Sequence, residues 1–352
     1  MTAVGVIEGI AEATAMVVKI FSGALSDWLG RRKLLAAIGY GLAAFTKPVF
    51  PLATGLGWIV TARFVDRIGK GIRGAPRDAL IADIAPAPSR GAAYGLRQSL
   101  DTFGAVLGPL AAIGLMALTA NNFTFVFWIA VVPAFVSFAL IVFAVQEPPR
   151  APVAKGELRL RLSDINRLSA RFWSVIAIAC LLSLARFSEA FLVLKAQHIG
   201  VSIALVPVVL VIMNIAYTFA AYPAGAASDR FGRREILMAG IVLLIVADLV
   251  LAMTSNIVLV LCGVVLWGLH MGLTQGLLAA YVADTAPETL RGTAFGLLNL
   301  ASGLAMLAAS VGAGMLWDGY GPAATFLAGA ALTGFALLSA PLLPGRRLAP
   351  RG

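Results

Sequence analysis

A short polar loop that occurs twice constrains this chain more than any other feature. The first copy reads Gly23-Ala24-Leu25-Ser26-Asp27-Trp28-Leu29-Gly30-Arg31-Arg32-Lys33, and the second Gly225-Ala226-Ala227-Ser228-Asp229-Arg230-Phe231-Gly232-Arg233-Arg234. Each copy joins two long apolar runs, with an acid closing one and a cluster of cations opening the next. Asp83-Ile84-Ala85-Pro86 through Arg90-Gly91 likewise returns as Asp284-Thr285-Ala286-Pro287 through Arg291-Gly292. Ala93-Tyr94-Gly95-Leu96 returns as Ala294-Phe295-Gly296-Leu297, at the same offset of 201 residues. Repetition at a fixed distance implies two homologous helical bundles in one chain.

The apolar runs belong in a bilayer. Of 352 residues, 60% are hydrophobic and 12% charged, against roughly 25% charged in a soluble domain. They predict an all-α membrane protein with spans at 3–26, 34–53, 57–83, 92–118 and 124–145, then 173–194, 204–227, 235–254, 257–282, 293–316 and 322–342. That is eleven helices, five before the polar stretch 146–171 and six after it. The net charge of +10 raises the possibility of nucleic acid, which the distribution of charge rejects. Arg31, Arg32, Lys33, Arg90, Arg150, Lys155, Arg159, Arg161, Arg167, Arg171, Arg230, Arg233, Arg234, Arg291, Arg346, Arg347 and Arg351 all fall in loops on one side, with Lys47 and Lys195 on the other. The basic side is expected to be cytoplasmic, in a bacterial inner membrane. Within the linker, 157–171 has apolar residues at helical spacing among arginines. It reads equally as an interfacial helix on anionic lipid or as a solvated tether.

The repeated loops resemble the hallmark loop of the major facilitator superfamily, G-x-L-[AS]-D-x-x-G-R-[RK]-[RK]. Gly23, Leu25, Ser26, Asp27, Gly30, Arg31, Arg32 and Lys33 match it. The resemblance implies two homologous six-helix bundles and transport by alternating access. In the family this loop follows two helices, whereas too few residues precede Asp27 for two spans of about 20 residues. The first helix is thus expected to be absent, through a start assigned too late or a truncated chain. The implied division is an N-terminal bundle at 1–145, a basic linker at 146–172, a C-terminal bundle at 173–345 and a tail at 346–352. The implied gating residues are Gly23, Asp27, Gly30, Arg31 and Arg32, with Asp229, Gly232 and Arg233 in the second copy. Asp27 is expected to pair with a nearby arginine and to face the start of the 293–316 helix near Gly292, holding the outward-facing state.

Comparing the two halves isolates what the fold does not need. At an offset of 201, Lys70 faces Met271, Arg73 faces Thr274, Arg77 faces Leu278 and Asp78 faces Ala279. Arg63, Arg67, Lys70, Arg73 and Arg77 step by three or four, so they form one stripe on the 57–83 helix. Arg73 and Arg77, with Asp78, lie at gate depth. Arg63, Arg67 and Lys70, with Asp66 beside them, lie deeper, where charges line a cavity or join a static salt-bridge network. Arg63 and Gly71 fit the family's R-x-x-x-G-x-x-x-G motif, though Arg67 stands where its first glycine is expected. A phosphate loop at Gly69-Lys70 is excluded, because Phe64 replaces the required glycine and no Ser or Thr follows the lysine.

Other ionisable residues within spans come in helical pairs. Arg97 and Asp101 are four apart, and Arg186 and Glu189 three apart; each pair reads as an ion pair or as part of the substrate cavity. Glu8 and Glu12 share one face, with Lys19 further along it. Like-charge repulsion makes them the candidate proton sites. Asp248 stands alone. Gly104-x-x-x-Gly108-Pro109 resembles, in shortened form, the glycine-proline motif of drug/proton antiporters, and reads equally as a packing motif. His198 and His270 have no companions at metal-ligand spacing, and Cys180 and Cys262 lie in apolar runs. No cofactor, metal site or catalytic set is expected.

The expected function is secondary transport of a small organic solute, proton-coupled, with an organic anion or zwitterion favoured by the stripe. Two alternatives stand: proton-driven efflux of lipophilic cations, and a membrane sensor or scaffold that does not transport. The expected partners are the solute, protons and the lipid bilayer, with the chain a monomer.

Overall fold

The computed structural model of the chain describes residues 2–148, 167–202 and 206–343, and for residues 2–13, 16 and 206 the backbone alone. Among these residues there is no strand. The helices are α1 (Thr2–Leu29), α2 (Arg32–Thr46), α3 (Leu56–Ile84), α4 (Arg90–Leu118), α5 (Phe123–Ala139), α6 (Ala170–Ala185), α7 (Ala190–His198), α8 (Val206–Phe231), α9 (Arg233–Met253), α10 (Ile257–Thr285), α11 (Arg291–Tyr320) and α12 (Pro322–Ser339). Among the described residues, nine helical segments are long and apolar enough to cross a membrane. The charged α3 is not one of them. Much of the basic linker, including Arg150, Lys155, Arg159 and Arg161, and the tail with Arg346, Arg347 and Arg351 lie outside the described residues.

The two repeated loops turn in the same way for the same reason. Gly30 ends the first at φ +62°, and Gly232 ends the second at φ +112°. Glycine takes these values without the penalty a Cβ would bring, so each loop reverses the chain within one or two residues. Elsewhere, Asn122 caps α5 by accepting from the Phe125 amide at 3.1 Å. Ser169 caps α6 by accepting from Phe172 at 3.2 Å. Both satisfy amides that the helix itself leaves without partners.

Two expected spans are interrupted. The 34–53 span stops at Thr46 and resumes as a single turn, Val49–Leu52, because Pro48 has no amide hydrogen to continue it. The 173–194 span stops at Ala185 and resumes at Ala190 with no proline or glycine to mark the break. There Arg186 leaves helical geometry at φ −96° and ψ 74°. Side chains take over from the helical ladder: the Ser188 amide donates to Ser310 Oγ at 3.2 Å, and the Ala190 amide to Ser188 Oγ at 3.3 Å. Such local bonds compete with the helix.

The chain forms two compact units. The first comprises residues 1–84, 108–168 and 286–300, and the second 85–107, 169–285 and 301–352. In the first, α2 and α3 meet through glycines. A Cβ on Gly39 would stand 2.6 Å from the Gly69 carbonyl oxygen, and one on Gly71 would stand 2.8 Å from that of Ala15 on α1. α5 has no buried residue, as suits a helix bathed in lipid, and Phe45 of α2 meets Phe135 edge-on at 5.1 Å. The second unit is centred on Trp267, which is fully buried with Phe326 and beside Phe187 and Phe191.

Candidate functional site

In the first unit, the loop between α1 and α2 grips the start of α11. Asp27 Oδ1 accepts from the Gly292 amide at 2.9 Å; Oδ2 accepts from the Thr293 amide at 2.7 Å and the Thr293 hydroxyl at 2.9 Å. A carboxylate on the first turn of a helix meets unsatisfied amides and the positive end of the dipole together. Arg32 is fully buried behind it. It pairs with Asp27 at 3.2 Å and Asp83 at 2.7 Å, and donates to the carbonyls of Ala79 at 2.6 Å and Glu288 at 2.9 Å. Asp83 also holds Arg291 at 2.8 Å. Glu147, at the end of the N-terminal half, accepts from the Arg32 and Lys33 amides and so caps α2. Gly23 and Gly292 face each other, and a methyl on either would collide with the other's carbonyl oxygen.

The second unit repeats this latch group by group. Asp229 accepts from the amides of Gly91 at 3.0 Å and Ala92 at 2.8 Å, at the start of α4. Arg233 lies 3.7 Å from Asp229, is ion-paired with Asp284 and donates to the Ala280 carbonyl at 2.9 Å. Arg90 pairs with Asp284 at 3.0 Å, and Gly225 faces Gly91 as Gly23 faces Gly292. The acid of each sequence copy therefore pairs with the arginine of the other: Asp83 with Arg291, Asp284 with Arg90. The copies differ in two respects that bear on the acid: Arg233 stands farther from Asp229 than Arg32 does from Asp27, and one hydroxyl is missing. Ala92 stands where Thr293 stands, so the second latch lacks the hydroxyl bond.

Also within the second unit, the break between α6 and α7 opens a cavity of about 200 Å³. Arg186, Glu189 and Gln275 supply its polar wall, and Phe187, Trp267 and Met271 its apolar wall. Arg186 is 7% exposed. With the Gln275 amide turned so that its oxygen faces the guanidinium, that oxygen accepts from both terminal nitrogens of Arg186, at 2.8 and 2.9 Å. The Trp267 indole donates to the buried Asp248 at 3.1 Å, which fixes the ring in the wall.

The other sequence candidates fall as follows. Arg186 and Glu189 do not form an ion pair on one helix. Arg186 caps the end of α6, Glu189 precedes α7, and among the described residues they make no contact within salt-bridge distance, because the break turns Arg186 toward Gln275. Arg97 and Asp101 do pair, at 2.8 Å. Arg63, Arg67 and Lys70 lie partly buried on α3 in the first unit. Asp66 beside them pairs with Lys47 at 3.0 Å. Arg73 lies over the Tyr40 ring at 4.4 Å, and Arg77 contacts Asp78 at 3.2 Å. Arg31 is at the cap of α2. A Cβ on Gly104 or Gly108 would meet nothing within 4 Å, and α4 continues through Pro109, so the tight-packing reading of that motif is corrected. The side chains of Glu8 and Glu12 lie outside the described residues. His270 is a core residue bonded through Nδ1 to the Gly240 carbonyl at 2.8 Å. Sequence reading missed Gln275 and Trp267 as lining residues, and no local signal marks them. It also missed the roles of Asp83, Arg90, Asp284 and Arg291, although these stood inside the repeat.

Comparison with known proteins agrees with this arrangement. The profile of the Major Facilitator Superfamily matches residues 1–195 and, a second time, residues 190–351. An uncharacterized MFS-type transporter of Methanocaldococcus jannaschii is 31% identical over 350 residues, covering 97% of this chain and 85% of its own. The human organic anion transporter MFSD10 superposes with a TM-score of 0.79 at 19% identity, over 96% of this chain and 83% of its own. A variant of the Escherichia coli fucose:proton symporter superposes with a TM-score of 0.79 at 17% identity, over 96% and 90%. At those identities the structural likeness speaks for the fold alone.

Proposed function

The chain belongs to the major facilitator superfamily and is a multi-pass membrane transporter; from that premise we propose that it moves a small organic solute by alternating access, coupled to protons. In this reading two bundles, 1–145 and 173–345, rock about the linker in a bacterial inner membrane, with the basic loops cytoplasmic and the chain acting as a monomer. The observation that carries the reading is the pair of matched latches. Each joins a loop of one sequence half to a helix start of the other, through contacts that are strong when made and fully solvated when broken. In this reading the grips release and re-form as the two states exchange, which a static scaffold would not require.

An organic anion or zwitterion is the favoured solute class. A buried guanidinium whose nearest partner is a neutral amide gains from an anionic ligand, and its planar fork suits a carboxylate. Export of a lipophilic cation draws on Glu8, Glu12 and Asp101, but Asp101 is already engaged by Arg97.

Purified protein in liposomes that enclose a pH indicator tests this. Solutes of each charge class are added outside, and internal pH is followed. One class is expected to move protons with it, and an imposed pH gradient to drive its accumulation. Glu8→Gln or Glu12→Gln, whichever acid titrates between states, is expected to remove the response to the gradient while solute binding survives. A full response in the double variant moves the proton site elsewhere. No proton movement with any solute supports the non-transporting alternative.

A further inference from the structure

The cavity at the α6–α7 break presents one cation and one anion that, among the described residues, make no direct ion pair with each other. Arg186 is nine-tenths buried, and among the described residues its guanidinium bonds only to the neutral oxygen of Gln275. Glu189, three residues on, lines the same cavity, and among the described residues its carboxylate has no hydrogen-bond or ion-pair partner. Two opposite charges this close in sequence would pair across an unbroken helical turn. The break instead leaves both lining the cavity. A guanidinium has five donors, of which Gln275 occupies two. The remaining wall, Phe187, Trp267 and Met271, is apolar.

We infer that this cavity is a binding site for an amino-acid-like zwitterion with an apolar side chain, a refinement that rests on the reading of the chain as a solute transporter. The carboxylate of the ligand takes the free donors of Arg186, its ammonium group faces Glu189, and its side chain lies against the aromatic and thioether wall. Both charges of the cavity then have a direct partner on one molecule. A simple anion leaves Glu189 uncompensated, and a simple cation leaves Arg186 uncompensated. A volume of about 200 Å³ lies below the roughly 300–1,000 Å³ of pockets for drug-sized ligands and suits a small solute.

Three probes of one shape separate the possibilities: L-leucine, 4-methylpentanoate, which lacks the amine, and 3-methylbutylamine, which lacks the carboxylate. Binding to the purified full chain is measured by calorimetry. Leucine is expected to bind at least tenfold more tightly than either partial analogue. Arg186→Gln is expected to lower leucine affinity at least tenfold. Glu189→Gln is expected to remove the preference for leucine over 4-methylpentanoate while 4-methylpentanoate binding holds. Arg186→Lys keeps the charge and guards against misfolding; it is expected to weaken leucine less than Arg186→Gln does. The proposal is overturned if a partial analogue binds as well as leucine, if Glu189→Gln keeps the preference, or if none of the three binds to wild type. None of these results removes the transporter reading, which stands or falls on solute-driven proton movement in liposomes.

Discussion

Asp27→Asn is expected to slow transport by tenfold or more while leaving expression and melting temperature close to wild type. The carboxylate takes three donors from the first turn of α11, and the amide keeps one acceptor oxygen while turning an NH₂ group toward an amide donor. Hydrogen bonds to a charged group contribute about 1.5–3 kcal/mol, neutral ones about 0.5–1.5, and the helix end adds a few tenths to about 1. A loss of about 2 kcal/mol shifts a two-state population roughly thirtyfold, toward the state open on the basic side. Bulk stability is expected to hold because the buried Arg32 keeps its ion pair with Asp83 at 2.7 Å when the Asp27 charge is lost. Asp229→Asn acts in the same direction with a smaller effect, since Ala92 offers no hydroxyl and Arg233 stands farther from the acid than Arg32 does. Initial rates in liposomes, normalised to protein incorporated, measure both. Unchanged rates in Asp27→Asn would remove the latch from the mechanism.

Gly23→Ala and Gly292→Ala are expected to match or exceed that loss. The collision is backbone against Cβ, with no flexible side chain to give way, and overpacking of this kind costs about 1–3 kcal/mol. Gly225→Ala and Gly91→Ala repeat the experiment in the second latch. Gly104→Ala and Gly108→Ala supply the contrast, because a methyl there meets open space and surface changes stay within about 0.5 kcal/mol. Equal effects at Gly23 and Gly104 would show that helix propensity, and not the close approach, sets the phenotype.

Much of the fold was legible because the sequence states it twice. An offset of 202 located both loops and both turn glycines, an offset of 201 located the later helix starts at Arg90 and Arg291, and apolar runs placed the spans to within a few residues. The break in α6–α7 was not legible. Its cause is long-range: Gln275, some ninety residues away in the chain, takes the arginine, and Ser310 takes the freed amide. The apolar run passes through without a breaker, so a local reading sees one helix with an i, i+3 pair. The partner of Asp66 was likewise not legible: Lys47 closes α2, some twenty residues away on another helix. Arg186 and Glu189 were legible as cavity candidates, but their apolar and amide neighbours Trp267, Met271 and Gln275 were not. Asp83, Arg90, Asp284 and Arg291 were visible as repeated letters, but their pairing crosses the copies, which a comparison of aligned positions cannot display.

Alternating access is tested most directly by labelling from the two sides of the membrane. Cys180 and Cys262 are first replaced, since Cys262 is exposed. Ser26→Cys then reports on the first latch, where Ser26 is fully buried, and Ser188→Cys, in a separate chain, reports on the cavity it lines. A membrane-impermeant maleimide is applied to oriented vesicles, with and without Asp27→Asn. The account predicts opposite changes: labelling at position 26 from the basic-loop side rises at least tenfold, and labelling at position 188 from the other side falls. A rise at both positions, or no change at either, would contradict it.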